Sequence, residues 1–427
     1  MIDLKRLRQD PGGSRASLAR RLDPSLGPAV DHIVELDRRV RELLVRVEAL
    51  RAERNAASEE IARRKRAKEP ADELLARLKA SGDEEKRLAA DLRLLEAERD
   101  EALLLLPNFP LPEVPEGDGA ANRVVRTWGA PPSFDFVPRP HWDLGAALGI
   151  LDLPAGAKIT GSGFPVFRGA GARLVRALAA FMLDLHTREH GYEEVAPPYL
   201  ANRASLIGVG QLPKFADELY TVTADDLYLI PTAEVPLTNL HRDEILDGAR
   251  LPIAYAACTP CFRREAGAHG KDTRGLIRVH QFDKVELVRF CRPEDSEAEH
   301  ERITAHAEAV LQRLGLQYRV VDLAAGDTGN ASAHTFDLEV WAPGVGAWLE
   351  VSSSSTFTDY QARRANIRYR AEPRAKPEFV HTLNASGVAF PRLVIALLES
   401  GQEADGSVRL PEALVPYAGV ARLPLRA

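Results

Sequence analysis

Residues 33–50 read IVELDRRVRELLVRVEAL, and within them Ile33, Leu36, Val40, Leu43, Val47 and Leu50 recur at alternating steps of three and four. That alternation is the a/d seam of a coiled coil, one apolar stripe kept along a single face of a long helix. After Glu69-Pro70 the rhythm resumes at Leu74 and Leu78, loses its apolar character at Ser81 and Glu85, and recovers at Leu88, Leu92 and Leu95. Pro70 has no N–H to give a helix and its ring collides with the preceding turn. The chain therefore doubles back, and residues 27–106 are expected to form an antiparallel helical hairpin. Each limb of about 35 residues would reach about 50 Å at a rise of about 1.5 Å per residue.

Near the expected tip stand Arg63, Arg64, Lys65, Arg66 and Lys68. An isolated basic run is ordinarily a solvated helix end, but here it sits at the far end of a rigid arm, where it can reach along a nucleic-acid backbone. The whole chain of 427 residues carries a formal charge of -6, which by itself argues against such a partner. Residues 1–68, however, hold 17 Lys and Arg against 11 Asp and Glu. Phosphate binding follows the local patch, not the total.

The length allows two or three domains. Apolar runs stay short of about 18 residues and the Met1-Ile2-Asp3-Leu4-Lys5 start has no signal-peptide core, so the expectation is a cytoplasmic protein without a membrane association. Three cysteines, Cys258, Cys261 and Cys291, do not make a disulfide framework. Cys258-x-x-Cys261 raises zinc, yet no second Cys/His pair with knuckle spacing accompanies it, and no zinc is expected.

Prolines and glycines crowd residues 107–140, which read as a linker between a 1–106 arm and a 141–427 domain. Beyond it, helical stretches at 174–190 and 296–314 alternate with β-rich runs at 227–230, 285–288 and 318–321. Lacking the Gly-rich strand-to-helix turn of a nucleotide fold, this mixture predicts an α+β domain around an antiparallel sheet flanked by helices.

Three segments of that domain place charge in apolar text, which costs energy unless a ligand or partner satisfies it. In the first, Phe262-Arg263-Arg264-Glu265 follows a strand-like run, a Gly-rich charged loop extends over 266–274, and Val279 to Phe282 leads into Lys284-Val285-Glu286. Strand, basic loop, strand can hold a nucleotide, with Arg263 forked onto a phosphate and Phe282 stacked on a base; a surface hairpin with salt bridges is the competing account. The second is Glu350-Val351-Ser352-Ser353, oxygen ligands suited to Mg2+ bearing nucleotide phosphates. Simple alternation there would put Glu350 and Ser352 on one face and Val351 and Ser353 on the other. The third runs from Asn384 and Ser386 to Arg392 at the start of an apolar helix, where an arginine makes sense if a triphosphate neutralises it.

In this order the segments resemble the three signature motifs of class II aminoacyl-tRNA synthetases, and in detail those of the seryl-tRNA synthetases. Gly191 to Pro198 resembles motif 1, Phe262 to Glu286 motif 2, and the Arg392 segment motif 3. Pro231-Thr232-Ala233-Glu234-Val235-Pro236-Leu237, Glu350 to Ser353 and Gln361 to Arg370 are the stretches most specific to serine. The resemblance covers nearly the whole chain and includes the family's tRNA-binding arm.

The resemblance implies a homodimer built through motif 1, with L-serine, ATP, tRNA(Ser) and, as an open matter, tRNA(Sec) as partners. It implies that Thr232, Ala233 and Glu234 bind serine, Glu234 through the α-ammonium, and that Glu286, Asn384 and Ser386 hold the serine hydroxyl. It implies ATP contacts from Arg263, Arg264, Glu265, Val279, Phe282, Glu350, Val351, Ser352, Ser353 and Arg392. Among these, Arg263 and Arg392 would act on the reacting phosphates, and Glu350 and Ser353 would bind Mg2+. Arg63, Arg64, Lys65 and Arg66 would touch tRNA. Four positions depart from the family pattern: Gly163 for a usual Arg, Ser354 for a frequent Cys, Thr356 for a frequent Asn, and Phe390-Pro391 for Val-Gly. Two competing readings are a relative that loads a carrier protein, which would lack the arm, and a nucleotide-binding scaffold, which would need no amino-acid pocket.

Overall fold

The structure is a computed structural model and describes residues 1–266 and 274–425. It divides into two compact units, one of residues 2–19 and 23–106, the other of residues from 107 onward with Met1 and Arg20–Leu22.

In the first unit, helix α1 (Leu26–Ala67) and helix α2 (Asp72–Leu105) form the antiparallel hairpin. At 42 residues α1 is about 63 Å long, longer than the expected limb. It ends at Lys68, whose left-handed φ of 57° lets the Glu69 N–H return to the Arg64 carbonyl. Asp72 and Glu73 then occupy the first turn of α2, where negative charge meets the positive end of the helix dipole. Val40 and Val47 pack against Leu88 and Leu92, as the three-four spacing requires. The gap in the seam at Glu85 is filled electrostatically. Its buried carboxylate accepts from Arg51 Nε at 2.9 Å and Arg54 Nη1 at 2.5 Å. At the tip, Arg63 and Arg64 are tied to Glu60 at 2.7 and 2.9 Å. Lys65 and Arg66 are exposed and carry no ion pair among the described residues.

The second unit is built on eight strands: β1 (Arg123–Trp128), β2 (Glu193–Glu194), β3 (Ile253–Phe262), β4 (Gln281–Cys291), β5 (Tyr318–Asp322), β6 (His334–Ala342), β7 (Ala347–Thr356) and β8 (His381–Ala389). Their spatial order is β1-β5-β6-β7-β8-β4-β3-β2, and every neighbouring pair is antiparallel except β2 with β3. Helices α3 (Ala170–Arg188), α4 (Glu234–Asn239), α5 (Ser296–Arg313) and α6 (Phe390–Ser400) accompany the sheet. Leu178 and Met182 of α3, Ile303 of α5 and Leu397 of α6 share one core with Val285, Leu287 and Leu338 of the strands. This is the expected α+β architecture. The 107–140 stretch, however, is not a plain linker. It supplies β1, the edge strand paired to β5, because Arg123 to Trp128 is a proline-free, β-prone run inside otherwise turn-rich text.

Two bulges shape the middle of the sheet. Between β6 and β7, Leu338 faces Ser352 and Glu339 faces Glu350, leaving Val351 extra. Between β4 and β8, Val285 faces Val388 and Glu286 faces Ser386, leaving Gly387 extra. A bulge re-aims the side chains on either side of it.

Leu88→Ala should cost the arm roughly 2–3 kcal/mol, since it opens a cavity in the seam. Hydrogen exchange should quicken across α1 and α2 while the β3 and β4 amides keep their rates.

Candidate active site

A cleft of about 650 Å³ opens over β3, β4, β7 and β8, and Thr232, Glu234, Arg263, Phe282, Glu350 and Arg392 all line it. Glu265, Val279, Val351, Ser353, Asn384 and Ser386 also face it, so segments as far apart as residues 232 and 392 meet in one place.

At one end lies an acidic pocket. Glu234 is the first residue of α4, and its carboxylate accepts from Gln361 Nε2 on the short helix Tyr360–Ala365. Gln361 is itself fixed, accepting from Thr382 Oγ1 at 2.7 Å. The Glu234 backbone N–H donates to Thr232 Oγ1 at 3.2 Å, and the same oxygen accepts from Lys284 Nζ at 3.0 Å. Lys284 also forms a short ion pair with Glu286, whose Oε1 accepts from Asn384 Nδ2 at 3.0 Å. Burial and, next, the Glu286 charge push the Glu234 carboxyl up from 4.5 to about 7, against the smaller pull of Gln361, Lys284 and Arg263. Two buried carboxylates thus lie close to one lysine, which is ion-paired with Glu286, and among the described residues Glu234 has no ion pair of its own.

The other end is built for an anion and a flat ring. Arg263 donates from Nε to the Pro231 carbonyl at 3.3 Å and lies 5.2 Å from the Phe282 ring centre. Glu265 holds a left-handed φ of 50° and pairs with Arg278 at 3.0 Å. Arg392, at the start of α6, donates from Nε to the Ile277 carbonyl at 3.1 Å and from Nη1 to the Glu350 carbonyl at 2.8 Å. The bulge at Val351 puts Glu350 and Ser353 on the cleft side together, where uninterrupted alternation would have separated them.

Four expected residues sit elsewhere. Ser352 is turned into the sheet, its Oγ bonded to the Ser386 carbonyl at 2.5 Å, because the same bulge that turns Ser353 outward turns Ser352 inward. Arg264 does not line the cleft; its backbone N–H donates to the Glu218 carbonyl at 3.0 Å. Ala233 and Glu286 are fully buried behind the wall, and Asn384 stands between Glu286 and the open space. Residues 267–273 of the charged loop lie outside the described residues. Lys284 and Gln361 stand inside the recognised motifs, but no local signal in the sequence assigns either of them a role.

The departures find structural reasons. Gly163 has a φ of +81°, and a Cβ there would lie 2.3 Å from the His280 ring, whose backbone N–H donates to the Gly163 carbonyl at 2.8 Å. Ser354 is buried and bonded to Thr304 at 2.8 Å, Thr356 faces Ser296 at 3.2 Å, and Pro391 sits in the first turn of α6. Cys258 and Cys261, three apart on β3, point to opposite faces of the sheet.

Residues 219–401 match the model of the tRNA synthetase class II core domain (G, H, P, S and T), and residues 1–110 match that of the seryl-tRNA synthetase N-terminal domain. The serine–tRNA ligase of Gemmatimonas aurantiaca is 55% identical over 99% of this chain and 100% of its own. The chain belongs to the seryl-tRNA synthetase family. The serine–tRNA ligase of Pelotomaculum thermopropionicum is 53% identical over 98% of this chain and 99% of its own. Among solved structures, the Pyrococcus horikoshii seryl-tRNA synthetase complexed with ATP superimposes with a TM-score of 0.94 at 39% identity, covering both chains fully. The Naegleria fowleri cytoplasmic serine–tRNA ligase in complex with AMP gives 0.88 at 30%, covering 100% of this chain and 99% of that one.

The elevated Glu234 carboxyl gives this synthetase a pH-dependent weakness. Because the folded value lies above the unfolded one, the penalty is absent below about pH 4.5 and complete above about pH 7. Glu234→Gln should therefore stabilise the ligand-free protein by roughly 2–3 kcal/mol at pH 8. Melting temperatures of the two proteins should converge by pH 4.5; a gain that persists there would place its origin outside this titration.

Proposed function

We propose that this cleft activates L-serine with ATP to seryl-adenylate and pyrophosphate and then transfers the seryl group to the 3' end of tRNA(Ser). The enzyme is a serine–tRNA ligase, an ATP-dependent aminoacyl-tRNA synthetase. The observation that carries the residue assignment is the acidic pocket, in which Glu234 and Glu286 share Lys284 and one more cation is wanted. The α-ammonium of serine supplies it.

In this reading Thr232 and Glu234 form the wall that receives the ammonium group, with Ala233 packed behind them. Asn384 and Ser386 meet the serine hydroxyl, with Glu286 acting through Asn384. A site built around that hydroxyl leaves buried polar groups unpaired when alanine enters. Arg263 holds the serine carboxylate and the α-phosphate, so that a carboxylate oxygen attacks phosphorus in line and pyrophosphate leaves. Phe282 stacks on adenine, Glu265 and the Val279 backbone meet its edge, and Arg392 neutralises the γ-phosphate. Positioning and charge neutralisation do the chemistry, and no covalent enzyme intermediate is needed.

The oxygen donors fit Mg2+: Glu350 and Ser353 face the cleft, and Asp337, opposite Ser353 in register, has a buried Oδ1 with no hydrogen-bond partner among the described residues. When bound there with ATP, Mg2+ would neutralise phosphate charge. Glu350 already fixes Arg392 through its backbone carbonyl, which keeps the guanidinium aimed into the cleft.

Family resemblance supports a homodimer through the Gly191–Pro198 segment, beside which Tyr199 and Leu200 are 48% and 42% exposed. It leaves open whether tRNA(Sec) is a second acceptor. Among the described residues no helix is long and apolar enough to cross a membrane, and a cytoplasmic location belongs to the proposal. The hairpin arm with its basic tip favours tRNA over a carrier protein as acceptor.

The decisive test is serine-dependent exchange of pyrophosphate into ATP, run beside threonine, alanine and cysteine. Exchange is expected with serine, at least about 100-fold below it with alanine, and lost in Glu286→Ala; equal exchange with alanine would refute the hydroxyl reading. Replacing Arg63, Arg64, Lys65 and Arg66 together with alanine should lower tRNA charging about 10-fold or more while exchange stays within about twofold. Parallel loss of both activities would remove the arm from tRNA binding.

A further inference from the structure

We infer that His141, backed by Glu399, is a positioning residue for the nucleotide: it pins the returning limb of the Arg263–Val279 loop to helix α6. The inference rests on reading the cleft as the ATP site. His141 opens the helix His141–Ala147, far from any of the signature segments, and both its side chain and that of Glu399 are completely buried.

Glu399 lies near the end of α6, whose start carries Arg392. Its Oε1 accepts from the His141 backbone N–H and from His141 Nδ1, both at 2.9 Å. Its Oε2 accepts from the backbone N–H groups of Gly344 at 2.8 Å and Val345 at 3.0 Å. With the ring proton on Nδ1 committed to this carboxylate, Nε2 is left as an acceptor, and it takes the backbone N–H of Leu276 at 3.0 Å. That N–H would otherwise be a buried donor without a partner.

The neighbouring residues are shaped to the same contact. Gly275 has a φ of +70°, and a Cβ there would come within 2.2 Å of His141 Nε2, so only glycine admits the ring. The Arg274 guanidinium lies over the Trp142 ring, 4.4 Å from its centre. Directly after the pinned Leu276, the Ile277 carbonyl accepts from Arg392 Nε at 3.1 Å, and Ile277, Arg278 and Val279 line the cleft. Helix α6 therefore grips two successive loop residues, through Glu399 and His141 at one and through Arg392 at the other. A core pair needing only to fill space would be apolar, since burying a carboxylate is costly unless its hydrogen bonds are used. Here they fix the height of the segment proposed to meet adenine; among the described residues the side-chain partners of His141 are Glu399, Leu276 and Trp142, none of them at the serine end of the cleft.

The test separates the loop bond from the core pairing. In His141→Asn the shorter amide can keep a donor on Glu399 but falls short of Leu276. In His141→Gln the longer side chain can present an acceptor oxygen where Nε2 stood. Serine-dependent pyrophosphate exchange is measured with ATP and serine varied in turn, per mole of folded protein. His141→Asn is expected to raise the KM for ATP about 10-fold, with the KM for serine within about twofold, and His141→Gln to recover most of the loss. An ATP KM within twofold of the parent in His141→Asn, or equal rises for ATP and serine, would overturn the inference. Should His141→Asn fail to fold, Gly275→Ala disturbs the same contact from the loop side and must show the same ATP-selective defect; an unchanged ATP KM there overturns it equally. Absence of any exchange in the parent protein would instead refute the reading of the cleft.

Discussion

Lys284, ion-paired with Glu286 on strand β4, is also the nearby ammonium for Glu234 at the start of helix α4, and all three side chains are buried. One ammonium cannot satisfy both, and burial raises the Glu234 carboxyl as a result. Much of the surrounding construction follows from holding that imbalance open. Gln361 and Thr382 lock Glu234 from behind, Thr232 bridges Lys284 to the Glu234 backbone, and Asn384 covers Glu286. A protein optimised only for stability would remove one of the acids. Under the proposed reading, retaining both creates a place where an amino group is worth more than it is in water, so that stability lost in the empty protein returns as affinity for the substrate.

The two bulges solve the second problem, which is to bring unlike groups to one surface from strands that alternate strictly. Without the extra residue at Val351, Glu350 and Ser353 would lie on opposite faces, and their oxygen atoms could not face the cleft together. The bulge at Gly387 places a glycine beside His186, where a Cβ would lie 3.0 Å from its ring, and lets Val388 take a φ of 138°. These two irregular positions of the sheet both lie beneath the cleft, whereas a third, between Val124 and Arg126, lies on the edge strand β1.

How much of this was legible in the sequence depends on the range of the interaction. The hairpin was readable because Ile33 to Leu50 and Leu88 to Leu95 repeat locally and Pro70 interrupts them; Glu85 looked like a fault in the seam because its partners, Arg51 and Arg54, lie on the other helix. The antiparallel sheet was readable from short β-rich runs, but β1 was not, since six extended residues inside a proline- and glycine-rich stretch gain their order only from pairing with β5. The cleft residues were found through motif order and resemblance. The resemblance also implies Ser352 and Arg264, but neither lines the cleft: the bulge turns Ser352 into the sheet, and the Arg264 backbone N–H is bonded to the Glu218 carbonyl. Nothing local marks Lys284 as the shared cation, because both carboxylates it serves are defined by the folded sheet.

Gly163 shows how such packing restricts the routes open to the sequence. With φ at +81° and the His280 ring occupying the space a side chain would need, the position cannot accept an arginine by one substitution. His280 is held in turn by stacking on Phe164 and by its bond to the Arg263 carbonyl. Positions 163 and 280 are therefore an epistatic pair: a side chain at 163 can be admitted only if the ring at 280, more than one hundred residues away in the chain, is first replaced or moved.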